Sequence, residues 1–245
     1  MVEIDTIDGA KTAIVRHRLD ASDMGLLADV ETLCLTPESG DFEVQTPLHL
    51  PRLRTLCVAK CRQPLLAMIG KDTLAGLRTL LVADAAGSLT DILRLGELRG
   101  LEDLMIRQQQ LEDDAINWIC RQETIRSLSL TDTNVSDSVI SMLGCKCTLR
   151  RLDLFRSAVS FQDKRLCNDV FPAVRSLDVS GTKVSGASVE IIRFVFPQLE
   201  RLLAHETELA ESDIRSIAAW DGLRVLSTDT PGIDFDNHGS DFWDL

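Results

Sequence analysis

Cys145 and Cys147 form a C-x-C pair, the nearest approach in this chain to a metal-ligand motif. A closed zinc site takes four ligands in a tetrahedron. No second Cys pair and no His lies at matching spacing, so a site would need Cys120 or Cys167 brought in from neighbouring segments. The four histidines, His17, His49, His205 and His238, are scattered, and no G-x-S-x-G, H-E-x-x-H or cysteine-nucleophile signature surrounds a reactive side chain. The stretches "GTKVSG" from Gly181 and "GKD" from Gly70 lack the glycine-to-lysine spacing with which a backbone loop cradles phosphates. Residue chemistry therefore assigns no catalytic group, no metal and no cofactor.

One segment differs from the rest in composition. From Asp229 to Leu245 the chain carries Asp229, Asp234, Asp236, Asp241 and Asp244, no Lys or Arg, and the aromatics Phe235, Phe242 and Trp243. Two functions fit an acidic, aromatic end. It covers the last element of a core, or it docks into a groove of another protein with Phe242 and Trp243 as anchors.

The elements that would position any site are set by a repeat. The stretch "IRSLSLTDTNVSDSVISML" from Ile125 is nearly rewritten as "VRSLDVSGTKVSGASVEII" from Val174. A triplet of apolar-x-x-apolar-x-apolar begins at Val30, Leu53, Leu77, Leu101, Ile125, Leu149, Val174, Leu199 and Leu223, with successive starts separated by 23 to 25 residues. Strand side chains alternate between faces, so the second and third apolar positions of each triplet point together into a core. The dozen or so residues that remain in each period must return on the opposite side. "SDSVISML" reads as a short helix capped at Ser136 and burying Val139, Ile140 and Leu143, and "SGASVEIIRFVF" as one burying Ile191, Ile192 and Val195. "EDDAINWIC" and "ESDIRSIAAW" place acids in a first helical turn, where the helix dipole favours them.

This pattern resembles the leucine-rich repeat family, L-x-x-L-x-L-x-x-N/C-x-L, over residues 30–233. The family's Asn/Cys position is filled by Thr133, Ser157, Thr182 and Thr207, and by Cys61 in an early repeat, which is similar to a threonine-bearing variety of 24–25 residues. Glu38, Ala85, Gln109 and Pro231 depart from it, and there the ladder of side chains bonding the turn is expected to break. The resemblance implies an α/β solenoid of about nine repeats, with a parallel sheet on a concave face and short helices or turns on the convex one. Residues 1–29 are expected as an N-terminal cap formed by a degenerate repeat, with Ile14 and Leu19 at strand and post-turn positions. Residues 30–233 form the solenoid, and 234–245 a C-terminal cap or tail. No Gly/Ser/Pro-rich linker interrupts the chain, so a single domain is expected.

Composition narrows the function. Net charge is −12 over 245 residues, a surface that repels nucleic-acid phosphates and anionic membranes. No basic-then-apolar leader opens the sequence and no apolar run approaches the ~18 residues that span a bilayer. Seven cysteines, an odd number without framework spacing, suit reduced thiols in an intracellular, cytoplasmic protein, with the nucleus or an organelle as the further compartments they allow.

On such a scaffold function belongs to the outward strand positions. The column between the inward residues reads Cys34, Cys57, Leu81, Met105, Ser129, Asp153, Asp178, Leu203 and Ser227. Early repeats present an apolar strip, with Leu81 and Met105 beside Arg107. Later repeats present Arg151, Asp153, Phe155, Arg156, Asp178, Arg201 and His205. An apolar strip rimmed by charge, with Arg and aromatic anchors, is the composition of a protein interface. The resemblance implies a non-catalytic interaction scaffold, a subunit of a larger hetero-complex rather than a homo-oligomer, binding protein through these residues and through Phe242 and Trp243. A transient regulator or substrate adaptor, of the phosphatase-regulator or ubiquitin-ligase-receptor type, is the alternative, and an enzyme assembled across repeats a remote third.

Overall fold

The computed structural model describes residues 2–7, 10–16, 24–37, 47–61, 68–84, 98–144, 148–230 and 235–236. The chain resolves into two compact units, Met1–Ile125 and Arg126–Leu245. The boundary carries no linker composition. In a repeat array each segment touches only its neighbours, so a division falls between repeats without leaving a mark in the sequence.

In the first unit six strands follow one another in chain order: β1 (Val2–Ile7), β2 (Ala10–Val15), β3 (Thr32–Leu35), β4 (Thr55–Ala59), β5 (Thr79–Ala83) and β6 (Asp103–Arg107). β2 to β6 are parallel, and the register joins Leu33 to Leu56, Leu56 to Leu80 and Leu80 to Leu104. These leucines and the third triplet residues Leu35, Val58, Val82 and Ile106 are fully buried or nearly so. The returns include α1 (Met24–Leu27), α2 (Lys71–Ala75) and α3 (Asp113–Arg121). α3 opens with Asp113 and Asp114 and buries Ala115, Ile116, Trp118 and Ile119, a spacing that puts one helical face on the core.

The second unit repeats this plan with β7 (Ser127–Thr131), β8 (Arg151–Asp153), β9 (Ser176–Asp178), β10 (Arg201–Ala204) and β11 (Val225–Thr228), all parallel. Its returns are α4 (Asp137–Leu143), a 3-10 turn at Lys164–Asn168, α5 (Val189–Val195) and α6 (Glu211–Ala218). α4 begins after Ser136 as the sequence indicates, but buries only Ile140 and Leu143, leaving Val139 half-exposed. Phe161, Phe171 and Phe196 are fully buried and pack with ring centroids 5.2–5.7 Å apart, an aromatic layer in an otherwise aliphatic core. Strands in register at one triplet per period, each followed by a short return, make this a leucine-rich repeat fold.

The strand exits share one device. Lys60, Asp84, Gln108, Asp132, Arg156 and Glu206 have φ of 46–54°, and Gly181 has 69°. These positions recur with the repeat period. In the second unit the twisted residue's N–H donates to the next repeat, Asp132 to the Phe155 carbonyl (2.8 Å), Arg156 to Ser180 (2.9 Å) and Gly181 to His205 (2.8 Å). Three residues past each inward leucine or its equivalent, Thr133, Thr182 and Thr207 donate their hydroxyls to the carbonyls of Leu130, Val179 and Ala204 at 2.5–3.1 Å. Ser157 holds the same position, but its hydroxyl is buried without a partner. Cys61 turns instead to Met68, sulfur to sulfur at 3.5 Å.

Both termini of the strand series differ from a degenerate repeat. β1 runs antiparallel to β2 as a hairpin, and β2 pairs in parallel with β3 through Ala13–Leu33 and Val15–Leu35. Ala13 and Val15 are therefore the inward residues, and Ile14, expected there, stands in the outward column opposite Cys34. An offset of one residue in the alternation exchanges the two faces of a strand. Leu19 lies outside the described residues. At the other end β12 (Phe235–Asp236) pairs antiparallel with β11, Leu226 opposite Phe235.

Candidate functional site

The outward columns of each unit fall where strand alternation puts them. In the first unit Cys34, Cys57, Leu81 and Met105 stand in register across β3 to β6, all half-buried, and Arg107 is exposed at the end of β6. In the second, Ser129, Asp153, Asp178, Leu203 and Ser227 stand in register across β7 to β11.

Among the second unit's residues, Arg151 is exposed at the start of β8, and Arg201 is half-buried at the start of β10. Phe155 is half-buried under the Arg156 guanidinium, whose carbon lies 4.8 Å from the ring centroid, while Arg156 also reaches Glu206 at 3.6 Å. Asp153 departs from the expectation of a partner-facing acid. It is only 7% exposed, and its carboxylate accepts from the Ser129 hydroxyl (2.8 Å), the Thr131 hydroxyl (3.0 Å) and the Phe155 N–H (2.9 Å). Two small hydroxyl residues on the adjacent strand close over it, so its charge serves the sheet. Asp178, half-exposed, accepts from the Ser180 N–H at 2.8 Å. Burial, with the neighbouring Asp153 charge, pushes its carboxyl above the ordinary range, against the bonds from Ser180 and the pull of His205. Phe242 and Trp243 lie outside the described residues.

The strand-entry rim was not among the expected site residues. One residue before each strand, the N–H of Arg150 donates to Arg126, Arg175 to Arg150, Glu200 to Arg175 and Arg224 to Glu200, at 2.7–2.8 Å, forming a backbone ladder. The ladder stacks exposed Arg126, Arg150, Arg175 and Arg224 beside Arg151 and Arg201. Glu200 pairs with Arg175 and, at 3.7 Å, with Arg224. The signal was legible as the residue following the first apolar position of each triplet: Arg126, Arg150, Arg175, Glu200, Arg224. The corresponding first-unit residues, Glu31, Arg54, Arg78 and Glu102, alternate more evenly in sign, and Arg78 pairs with Glu102 at 3.0 Å.

His205 has two partners that sequence reading did not connect to it. Its Nδ1 is 3.1 Å from Asp229 and its Nε2 2.9 Å from the Ser227 hydroxyl. This is the connectivity of an acyl-transfer triad, but the surroundings differ. A triad's acid is buried and its nucleophile sits on a tight turn beside free amides that bind the oxyanion. Here the Asp229 side chain is 63% exposed. Its carboxyl is held low first by the Glu206 N–H and then by His205. Ser227 lies mid-strand, its neighbours Leu226 and Thr228 paired with β10. The network fixes the His205 ring over the strand exit.

Two clefts of about 390 and 510 Å³ flank α3 in the first unit. Gln122, on the wall of the smaller, accepts from the Leu98 N–H (2.7 Å) and donates to the Trp118 carbonyl (3.1 Å), so that wall is part of the scaffold. Among the described residues no cluster of three or more His, Cys, Asp or Glu could hold a metal, and no helix is long and apolar enough to cross a membrane. Cys145 and Cys147 lie outside those residues.

No family model and no curated protein matches the chain. Among solved structures, the crystal structure of an internalin (inlF) from Listeria monocytogenes shares 14% identity at a TM-score of 0.43, over 87% of this chain and 82% of that one. The fold assignment rests on the strand pairing and burial described above.

Proposed function

We propose that the chain is a non-catalytic protein-interaction scaffold, a subunit of a larger intracellular hetero-complex, that binds its partner through the outward strand face. The observation that carries this reading is the strand-entry rim of the second unit. Six arginines, Arg126, Arg150, Arg151, Arg175, Arg201 and Arg224, gather there in a chain whose net charge is −12. A cationic strip on an anionic protein selects an acidic stretch of partner and steers its approach. Phe155, half-buried at the far, exit end of β8, supplies an apolar anchor on the same unit. The first unit adds half-buried Leu81 and Met105 next to exposed Arg107. Phe242 and Trp243 are proposed as a further contact.

The test is affinity purification of the tagged full chain with mass spectrometry of what it retains, beside an Arg151→Glu/Phe155→Ala variant. A stoichiometric partner set that the variant loses, with circular dichroism unchanged, is expected. Retention of the same set by the variant would remove the strand face from the interface. Unfolding of the variant would show that these side chains are structural.

A further inference from the structure

Cys34 on β3 and Cys57 on β4 are opposed in register on the outward side of the sheet. In-register neighbours on adjacent strands stand about 4.8 Å apart, inside the ~4.4–6.8 Å Cα window that a disulfide spans. Both are free and half-buried, so their sulfurs stay within reach of a small solute. Ile14 flanks the pair on one side and Leu81 on the other. Of the remaining described cysteines, Cys61 is buried against Met68, Cys120 lies on α3 and Cys167 in the 3-10 turn, and none has a cysteine opposite it in the sheet register.

We propose that Cys34 and Cys57 are a dithiol modification site that a hydroperoxide oxidises to an intramolecular disulfide and a small-molecule thiol reduces. The Cys57 thiol donates to the Cys34 sulfur, which brings the Cys34 thiol down to about 7 against the effect of burial. The same bond, reinforced by burial and by the Cys34 charge, pushes Cys57 up. Near neutral pH Cys34 is therefore the nucleophile, standing as thiolate more than an ordinary thiol does.

In the first step the Cys34 thiolate attacks the terminal peroxide oxygen. The O–O bond breaks, Cys34 becomes a sulfenic acid, and the departing alkoxide, or hydroxide when the oxidant is hydrogen peroxide, takes a proton to leave as an alcohol or water. In the second step the Cys57 sulfur attacks the Cys34 sulfur. The S–S bond forms, the S–O bond breaks, and the hydroxide released takes the Cys57 proton to leave as water. Two electrons pass from the sulfurs to one peroxide. Two glutathione molecules reverse the change by thiol–disulfide exchange, leaving both cysteines as thiols and forming glutathione disulfide.

The experiment treats the reduced full chain with hydrogen peroxide at pH 7, quenches with an alkylating agent and digests with trypsin without reductant. Cys34 falls in the peptide Leu19–Arg52 and Cys57 in Thr55–Lys60. The expected product is these two peptides joined, lighter by two hydrogens, in a monomeric chain, roughly tenfold more abundant than any link to another cysteine, and lost on adding glutathione. In Cys57→Ser, dimedone should trap a sulfenic acid at Cys34 with no link formed. A persistent Cys34 sulfenic acid in the unsubstituted chain would overturn the proposal. So would links scattered among all cysteines, links between chains, or a link that glutathione leaves intact. The unsubstituted map decides the matter even if the variant fails to fold.

Discussion

Asp153 and Asp178 face each other across β8 and β9, yet the sheet treats their charges differently. Asp153 has three donors, while Asp178 has the Ser180 N–H and a neighbouring like charge. A carboxyl raised on folding favours the neutral form. It stabilises the fold most below its unfolded value of about 3.9, and that advantage disappears as pH rises through the raised folded value. Asp178→Asn keeps an oxygen for Ser180 and removes the charge, so its melting temperature should exceed the parent's at pH 7 and match it near pH 3. Asp137 is the opposite case. Burial works against its charge, but the N–H groups of Ser160, Phe161 and Gln162 and the Ser160 hydroxyl outweigh it and hold the carboxyl low. Its contribution is present above about 3.9 and lost as pH falls through the lowered folded value. Asp137→Ala should cost about 1.5–3 kcal/mol at pH 7, as for hydrogen bonds to a charged group, and much less at pH 2 in denaturant titrations. Alternation gave both outward directions for Asp153 and Asp178. It did not give solvent access, because that depends on Ser129 and Thr131 reaching across from another repeat.

At the level of the element, the repeat turns separate what sequence shows from what it hides. The triplet spacing marked every parallel strand from β3 to β11, since inward leucines leave a periodic trace. The left-handed residue at each exit left none, because six of the seven are not glycine. A side chain there costs roughly 1–2 kcal/mol in intrinsic conformational energy, which the ladder of N–H bonds to the next repeat offsets. Lys60 is exposed, with φ 54°, so Lys60→Gly relieves that strain at the expense of a freer unfolded chain. A net gain of about 0.5 kcal/mol is expected by urea denaturation, where glycine in an ordinary strand would destabilise. Gly181→Ala should go the other way by about 1–3 kcal/mol, since an added Cβ would sit 2.6 Å from Arg156 Cγ at φ 69°. The N-terminal hairpin was missed for a related reason. A one-residue offset in alternation exchanges the faces of a strand, and nothing in "TAIV" says which of Ala13 and Ile14 faces inward.

For the whole molecule the deciding quantity is how charge is distributed. Strands about 4.8 Å apart carry these exposed arginines on neighbouring rungs, so the cationic residues of the second unit repel one another in the free protein where salt does not screen them. Glu200 relieves part of this through Arg175 and Arg224. An acidic partner would relieve more, which makes the two kinds of substitution opposite in sign. Arg150→Glu with Arg175→Glu should slow association and weaken binding by about tenfold at low salt, the gap narrowing as salt rises. Glu200→Gln releases two guanidinium groups from their internal partner, so it should strengthen binding a few-fold, the scale of exposed ion pairs. Measuring both association rates from low to high salt by surface plasmon resonance tests the sign. If neither substitution moves the rate or its salt slope, the partner does not touch this rim, and the apolar positions Phe155, Leu81 and Met105 become the contact to substitute next.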